Sequence, residues 1–268
     1  MTGSSPSGAG RLPRATLDWA LFLDVDGTLL DIAETPFAVV VPQQVLVMLS
    51  LLHAALDGAV ALASGRSIET IDLLFRPLHL PAAGQHGLER RGADGIVERP
   101  LVADTGLDRV RERLSGAESE IPGLLIEDKG DTIAVHYRRV PSRELEVEKR
   151  VADAVGGVAM LELLPGKKVI EIRPRGAGKD KVVEAFMGEA PFRGRVPVFV
   201  GDDRTDEDGF AAVNRLGGHS IRVGAEGPSV ARHRLASPNA VRDWLATVAA
   251  QIVDTASGED GGMTLASQ

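Results

Sequence analysis

The stretch Leu21-Phe-Leu-Asp-Val-Asp-Gly-Thr-Leu29, LFLDVDGTL, carries a run of large apolar residues straight into two carboxylates one residue apart, followed by a glycine. The run from Trp19 to Leu23 has no polar alternation, the pattern of a strand buried on both faces in a parallel sheet. Asp24 and Asp26 leave its end on one side, because alternate residues of an extended chain share a face. Each makes the other costlier to ionise unless a cation relieves the pair. Alone, the stretch is equally an ordinary strand entering an Asx-type turn, since Asp and Gly are favoured turn residues. Other parts of the chain must decide.

The same grammar recurs at Ala59 to Ala63, which runs into SGRS, and at Val196 to Val200, which runs into GDDRTDEDG. Helical stretches lie between, at Pro42 to Leu56 and Ser67 to Phe75. Strand alternating with helix predicts a doubly wound α/β core with a mainly parallel sheet. In such sheets the ligand crevice lies beyond the carboxyl ends of the strands, where all three polar turns fall. Residues 104–173 read differently: helix from Thr105 to Glu118, strands at Leu124–Asp128 and Thr132–Arg138, helix from Ser142 to Val155, strands at Ala159–Leu163 and Lys168–Arg173. The tight turns KGD (Lys129 to Asp131) and PGK (Pro165 to Lys167) make these strands antiparallel. An inserted α+β module is expected there. The core then comprises residues 17–103 and 174–253, flanked by disordered tails at 1–16 and 254–268.

At 268 residues, 44% hydrophobic and 25% charged, the chain can bury a sizeable core. Its formal charge of -8 argues against nucleic-acid binding, which needs clustered Lys and Arg. The absence of cysteine excludes a disulfide framework, a thiolate metal site and a cysteine nucleophile. The first residues lack the apolar centre of a signal peptide, and no run approaches the roughly 18 apolar residues of a membrane span. A soluble, cytoplasmic monomer is expected.

Three further motifs bear on the acid pair. Ser64-Gly-Arg-Ser67 offers a hydroxyl, an unencumbered glycine amide and a cation, donors that suit a phosphate oxygen at a helix start; a plain N-cap fits it too. Residues 201–209 hold five acids in nine positions, which repel one another unless a cation or solvent intervenes. An EF-hand loop fails on spacing, since aligning its glycine with Gly209 puts Arg204 where the first Asp ligand belongs. Hard carboxylate oxygens without cysteine suit Mg²⁺. RPRGAGKDK (173–181) is no P-loop, because Arg173 falls at the earlier glycine and Asp180 follows the lysine. Lys179 can still enter the crevice as a point cation. Together these pieces fit attack on a phosphate monoester: Asp24 takes the phosphoryl group as an aspartyl phosphate, Asp26 is acid and then base, and cations neutralise the anionic centre.

DVDGT, the strand ending in Ser64, Lys179 and GDD occur in the motif order of the haloacid dehalogenase superfamily. QHGLERR (85–91), LIEDKG (125–130), AVHYR (134–138), GKKVIEIRPRGAGKD (166–180) and GRVPVFVGDDRTDEDGFAAVNRLGG (194–218) narrow the resemblance to bacterial trehalose-6-phosphate phosphatases. It spans about Leu17 to Leu245. It implies Asp24 as nucleophile, Asp26 as acid/base, Ser64, Gly65 and Lys179 on the phosphate, and Mg²⁺ held by Asp24, the Asp26 carbonyl and Asp202, with Asp203 or Asp206 assisting. It makes the inserted module a cap domain that selects the sugar phosphate. The alternation of TIAVHYR and KKVIEIR gives that cap one polar and one apolar face. The polar face meets either water or the sugar; the resemblance favours sugar, held by Lys129, Glu171 and His136 with Arg66 nearby. His86 and Glu89 either touch the sugar or brace the hinge. One departure is Asp180, where the family often has glycine. Two other functions stay open: a phosphatase or mutase for another sugar phosphate such as sucrose 6-phosphate, and a non-catalytic sugar-phosphate sensor or synthase partner.

Overall fold

The computed structural model describes residues 11–33, 39–99, 106–224 and 227–260, without the side chains of 256–260. The chain runs β1 (Trp19–Leu23), α1 (Gln43–Ala55), β2 (Val60–Ala63), α2 (Ile68–Phe75), β3 (Ala82–Gly84), β4 (Glu89–Arg91) and β5 (Val97–Glu98). It continues through α3 (Leu107–Leu114), α4 (Ala117–Glu120), β6 (Leu125–Asp128), β7 (Ile133–His136), α5 (Glu144–Val155), β8 (Leu161–Gly166) and β9 (Val169–Pro174). It closes with α6 (Lys179–Met187), β10 (Val196–Gly201), α7 (Asp206–Arg215), β11 (His219–Val223), β12 (His233–Leu235) and α8 (Pro238–Asp260).

Eight strands form one sheet in the order β12-β11-β10-β1-β2-β3-β4-β5. All neighbours from β12 to β3 are parallel, and β4 and β5 add antiparallel pairs at one edge. The chain winds outward from β1 to β2 and β3, then returns to the other side of β1 with β10 and winds outward again. The reversal falls between β1 and β10, which places the crevice of a doubly wound sheet there. Leu23 lies opposite Val200, and the Asp24 amide donates to the Val200 carbonyl at 3.0 Å. The acid turns of two distant segments are thereby forced side by side. β1 is buried at all five positions, as its unalternating sequence requires.

The four remaining strands form an antiparallel sheet, β6-β7-β9-β8. Its apolar face, with Ile133, Val135, Ile170 and Ile172, packs on Val110, Leu114, Val147 and Val151 of α3 and α5 in a core separate from that of the large sheet. The expected helix from Thr105 to Glu118 is two helices, broken where Gly116 takes a φ of 84°. The expected turn at Pro165–Lys167 moves on by two residues. Pro165 and Gly166 still pair with β9, and the turn is Lys167–Lys168, with Lys168 at a φ of 65°.

Both expected tails are shorter within the described residues. Leu12 and Ala15 pack against the core, and α8 continues through 254 because Val241, Leu245, Val248 and Ile252 repeat on one buried helical face. Residues 1–10 and 261–268 lie outside the described residues, as do residues 100–105 at the expected boundary between core and inserted module.

Candidate active site

Asp24 follows the last residue of β1 and is 6% exposed. Gly27, at a φ of 84°, lets the DVDG turn fold back so tightly that a Cβ there would strike the Asp202 carboxylate. Glycine is needed for both reasons. On the far side, α6 starts at Lys179 and is pinned by Val182, Val183 and Phe186, the last packed on Phe22 of β1 at 6.0 Å. The helix therefore aims the Lys179 ammonium at the strand end. Nζ donates to Asp24 at 2.6 Å and to Asp206 at 2.5 Å, with only 2% of the side chain exposed.

Asp206, fully buried, accepts the backbone amides of Asp202 and Asp203 through its other oxygen, each at 2.9 Å. Both of its oxygens are committed, so Asp206 holds the acidic loop and Lys179 in place. Asp202 is 4% exposed; its Oδ2 accepts from Lys167 at 2.7 Å, while its Oδ1 is buried with no hydrogen-bond partner. Oxygens of Asp24, Asp202 and Asp206 come within 4.8 Å of one another. Burial, against the pull of Lys179, leaves the Asp24 pKa well above the usual carboxylate range, and Asp202 and Asp206 push it further up. Burial likewise raises Asp202 despite Lys167. Burial works against the Lys179 charge but is overcome by Asp206 and Asp24, so the ammonium is held more firmly than usual. A site with three buried carboxylates, one buried ammonium (Lys179), one half-exposed one (Lys167) and a buried carboxylate oxygen without a partner fits a hard divalent metal ion.

Above these groups the two sheets enclose a cavity of about 220 Å³ lined by Asp24, Asp26, Ser64, Lys129, Glu171 and Lys179 among others. Ser64 accepts the Arg66 amide at 3.1 Å, while the cap of α2 is Ser67, which accepts Thr70 N–H. Arg66 grips Asp26 with both arms, at 2.6 and 2.7 Å. Gly65 cannot carry a side chain, since a Cβ would sit 2.6 Å from His86 Nε2. The second sheet supplies the cavity's roof: Ala134, His136 and Arg138 of the polar face reach the cavity, opposite the buried Ile133 and Val135.

Among the described residues three polar contacts join roof and floor. Lys129 donates to the Gly65 carbonyl at 2.9 Å, His86 pairs with Glu171, and Lys167 pairs with Asp202. Burial would raise the Glu171 pKa, but His86 and Lys129 prevail and hold it far below the carboxylate range. His86 stands at a φ of 56°, beside Gln85 at 48°, a left-handed pair of non-glycine residues at the cavity's edge.

Of the residues singled out in the sequence, Asp24, Asp26, Ser64, Gly65, Arg66, His86, Lys129, His136, Glu171, Lys179, Asp202 and Asp203 all line the cavity. Glu89 and Asp206 do not. Glu89 is fully buried against Gln85 and Arg99, so it braces the turn and does not reach the cavity. Asp180 does not line the cavity and lies 3.7 Å from the Lys181 ammonium. Sequence reasoning missed Lys167 and Glu127. Glu127 lines the cavity and pairs with His136 at 3.0 Å; the period-two alternation of β6 carried that signal.

A mainly parallel sheet with its acids at the switch point, roofed by an α+β cap, defines a haloacid dehalogenase-type phosphatase. The structure of the Candida albicans trehalose-6-phosphate phosphatase C-terminal domain superposes with a TM-score of 0.79 over 87% of this chain and 92% of that one; at 22% identity this likeness speaks for the fold alone. The trehalose-phosphatase family model matches residues 22–240. A probable trehalose-phosphate phosphatase of Sinorhizobium fredii is 46% identical over 235 residues, 87% of this chain and 88% of that protein. The Escherichia coli trehalose-6-phosphate phosphatase is 43% identical over 236 residues, 87% of each chain. The chain belongs to the trehalose-phosphatase family and is a phosphatase. Among the described residues no helix is long and apolar enough to cross a membrane.

Proposed function

We propose that the chain hydrolyses trehalose 6-phosphate to trehalose and phosphate with Mg²⁺ as its metal ion, the module between about residues 104 and 173 serving as lid. The observation that carries this reading is Lys179, a buried ammonium bridging Asp24 and Asp206 beneath a roof of sugar-compatible polar groups. Asp24 and Asp202, with Asp203 at the edge, are the carboxylates that would hold the ion. When bound, Mg²⁺ neutralises charge on the transferring phosphoryl group and so lets one anion approach another.

The rest follows from the chain's own groups. Lys179 holds Asp24 in one rotamer and offsets the negative charge of the incoming phosphate. Ser64 Oγ and the Gly65 amide receive the phosphate oxygens. A carboxylate oxygen of Asp24 forms a bond to phosphorus as the bond from phosphorus to the sugar oxygen breaks, and Asp26 acts as the acid that gives that oxygen a proton. Asp26 then takes a proton from water as the water oxygen attacks phosphorus, which frees Asp24 and releases phosphate. Glu127, Lys129, His136 and Glu171 supply donors and acceptors for sugar hydroxyls, and such a surface disfavours analogues lacking them. The cavity, about 220 Å³, is below the usual range for small-molecule sites, so substrate entry needs the roof to lift.

The test is phosphate release from trehalose 6-phosphate, sucrose 6-phosphate and glucose 6-phosphate, with and without Mg²⁺. Trehalose 6-phosphate is expected to be preferred, and Asp24→Asn to fall below about a thousandth of the wild-type rate. Equal rates on all three sugars would remove the substrate assignment. Full activity of Asp24→Asn would remove the nucleophile.

A further inference from the structure

Lys167 belongs to the roof and touches the floor. It lies in the two-residue turn between β8 and β9, whose other member, Lys168, turns back to Glu144 of the cap at 2.8 Å and over the Tyr137 ring at 5.7 Å. That anchor fixes the turn to the cap. The left-handed backbone at Lys168 sends the two side chains apart, and Lys167 crosses to Asp202, the floor carboxylate whose other oxygen is buried without a partner. Lys167 itself remains 54% exposed on its side chain.

Building on the metal reading above, we propose that Lys167 is a positioning residue of the cation site: a cap-borne ammonium that holds Asp202 when the cap is down and opposes entry of a divalent cation there. A cation bound to Asp24 and Asp202 would share a carboxylate with the Lys167 ammonium. Two positive centres a few ångströms apart in a half-buried cavity repel strongly compared with the same pair in water. Lys179 adds a third, but it is tied to Asp24 and Asp206 and cannot yield. Lys167, half exposed on a turn, can. Coupling between sites is reciprocal, so a closed cap weakens cation binding by the factor by which the cation disfavours closure. The order of loading follows: cation with the cap raised, then closure once an anionic phosphate lies between the two positive groups.

Titration calorimetry of Mg²⁺, repeated with Mn²⁺, into the full-length protein tests this. Lys167→Met is expected to tighten cation binding about tenfold, within the ordinary range for coupled sites. Lys167→Arg, which keeps the charge, is expected to bind as wild type does. Lys168→Met removes the same charge one residue away and serves as the control for general electrostatics, with affinity expected within about twofold of wild type. Unchanged or weaker binding by Lys167→Met overturns the proposal, as does equal tightening by Lys168→Met. If neither the wild type nor Lys167→Met binds either ion, the metal reading and this proposal fall together. Binding by wild type with no effect of Lys167→Met overturns this proposal alone.

Discussion

Lys179 is a buried cation whose removal leaves two buried carboxylates facing each other. Its ammonium separates two carboxylates that are otherwise buried side by side, Asp24 and Asp206. Breaking a buried ion pair by deleting one partner costs about 3–5 kcal/mol, because the remaining charge has no solvent to turn to. Lys179→Met is expected to lose that much stability at pH 7.5 in urea titrations. Asp24 already sits above the usual carboxylate range through burial, and without Lys179 it rises further. For an acid raised by folding, the native state binds the extra proton, so stability falls as pH rises through the folded pKa and is recovered on acidification. The deficit of Lys179→Met is therefore expected to shrink between pH 7.5 and pH 5. A deficit that is constant or grows over that interval would mean that Lys179 contributes packing and not charge.

At the scale of elements, β9 shows how one strand serves two purposes. Ile170 and Ile172 face the cap core, while Glu171 between them is buried against Lys129, Thr132 and His86. Glu171→Gln keeps the shape but lowers the charge that holds roof to floor, so we expect KM for the sugar phosphate to rise about tenfold or more with a smaller change in kcat. Folding favours the charged form of Glu171, so its contribution is complete above the ordinary carboxylate range and lost as pH falls below it; the variant should lack that acid loss. An unaltered KM would remove Glu171 from substrate binding. β9 also marks what the sequence could convey. Its alternation, the unbroken apolar run of β1 and the acids after β10 were legible because burial periodicity and turn chemistry are local. Lys167 was not, since its partner lies 35 residues away across a cleft and an exposed lysine carries no pattern. Glu89 stayed open between touching the sugar and bracing the hinge for the converse reason. A buried acid satisfied by Gln85 and Arg99 looks in sequence like one that faces a ligand.

The whole molecule has two separate apolar cores, and its few chromophores divide between them. Both tryptophans of the chain, Trp19 and Trp244, lie in the large-sheet core with ring centroids 6.1 Å apart, and the one tyrosine, Tyr137, is buried in the cap. Among the described residues the two apolar clusters have no member in common and the polar contacts between the bodies centre on the cavity, so the cap shares little of its stability with the core. Ile172→Ala removes methyl groups from the centre of the cap at a cost of about 2–5 kcal/mol. With the bodies weakly coupled, tryptophan emission should melt at its wild-type denaturant midpoint in this variant. Far-UV circular dichroism, which reports both sheets, should split, its earlier step carrying the cap. The cap must also be able to part from the core for a phosphosugar to enter, so a cap that melts alone is the equilibrium counterpart of a lid that opens. Were tryptophan emission and circular dichroism to shift together as one transition, the two bodies would be a single cooperative unit, and lifting of the roof would require another hinge than the crossings between them.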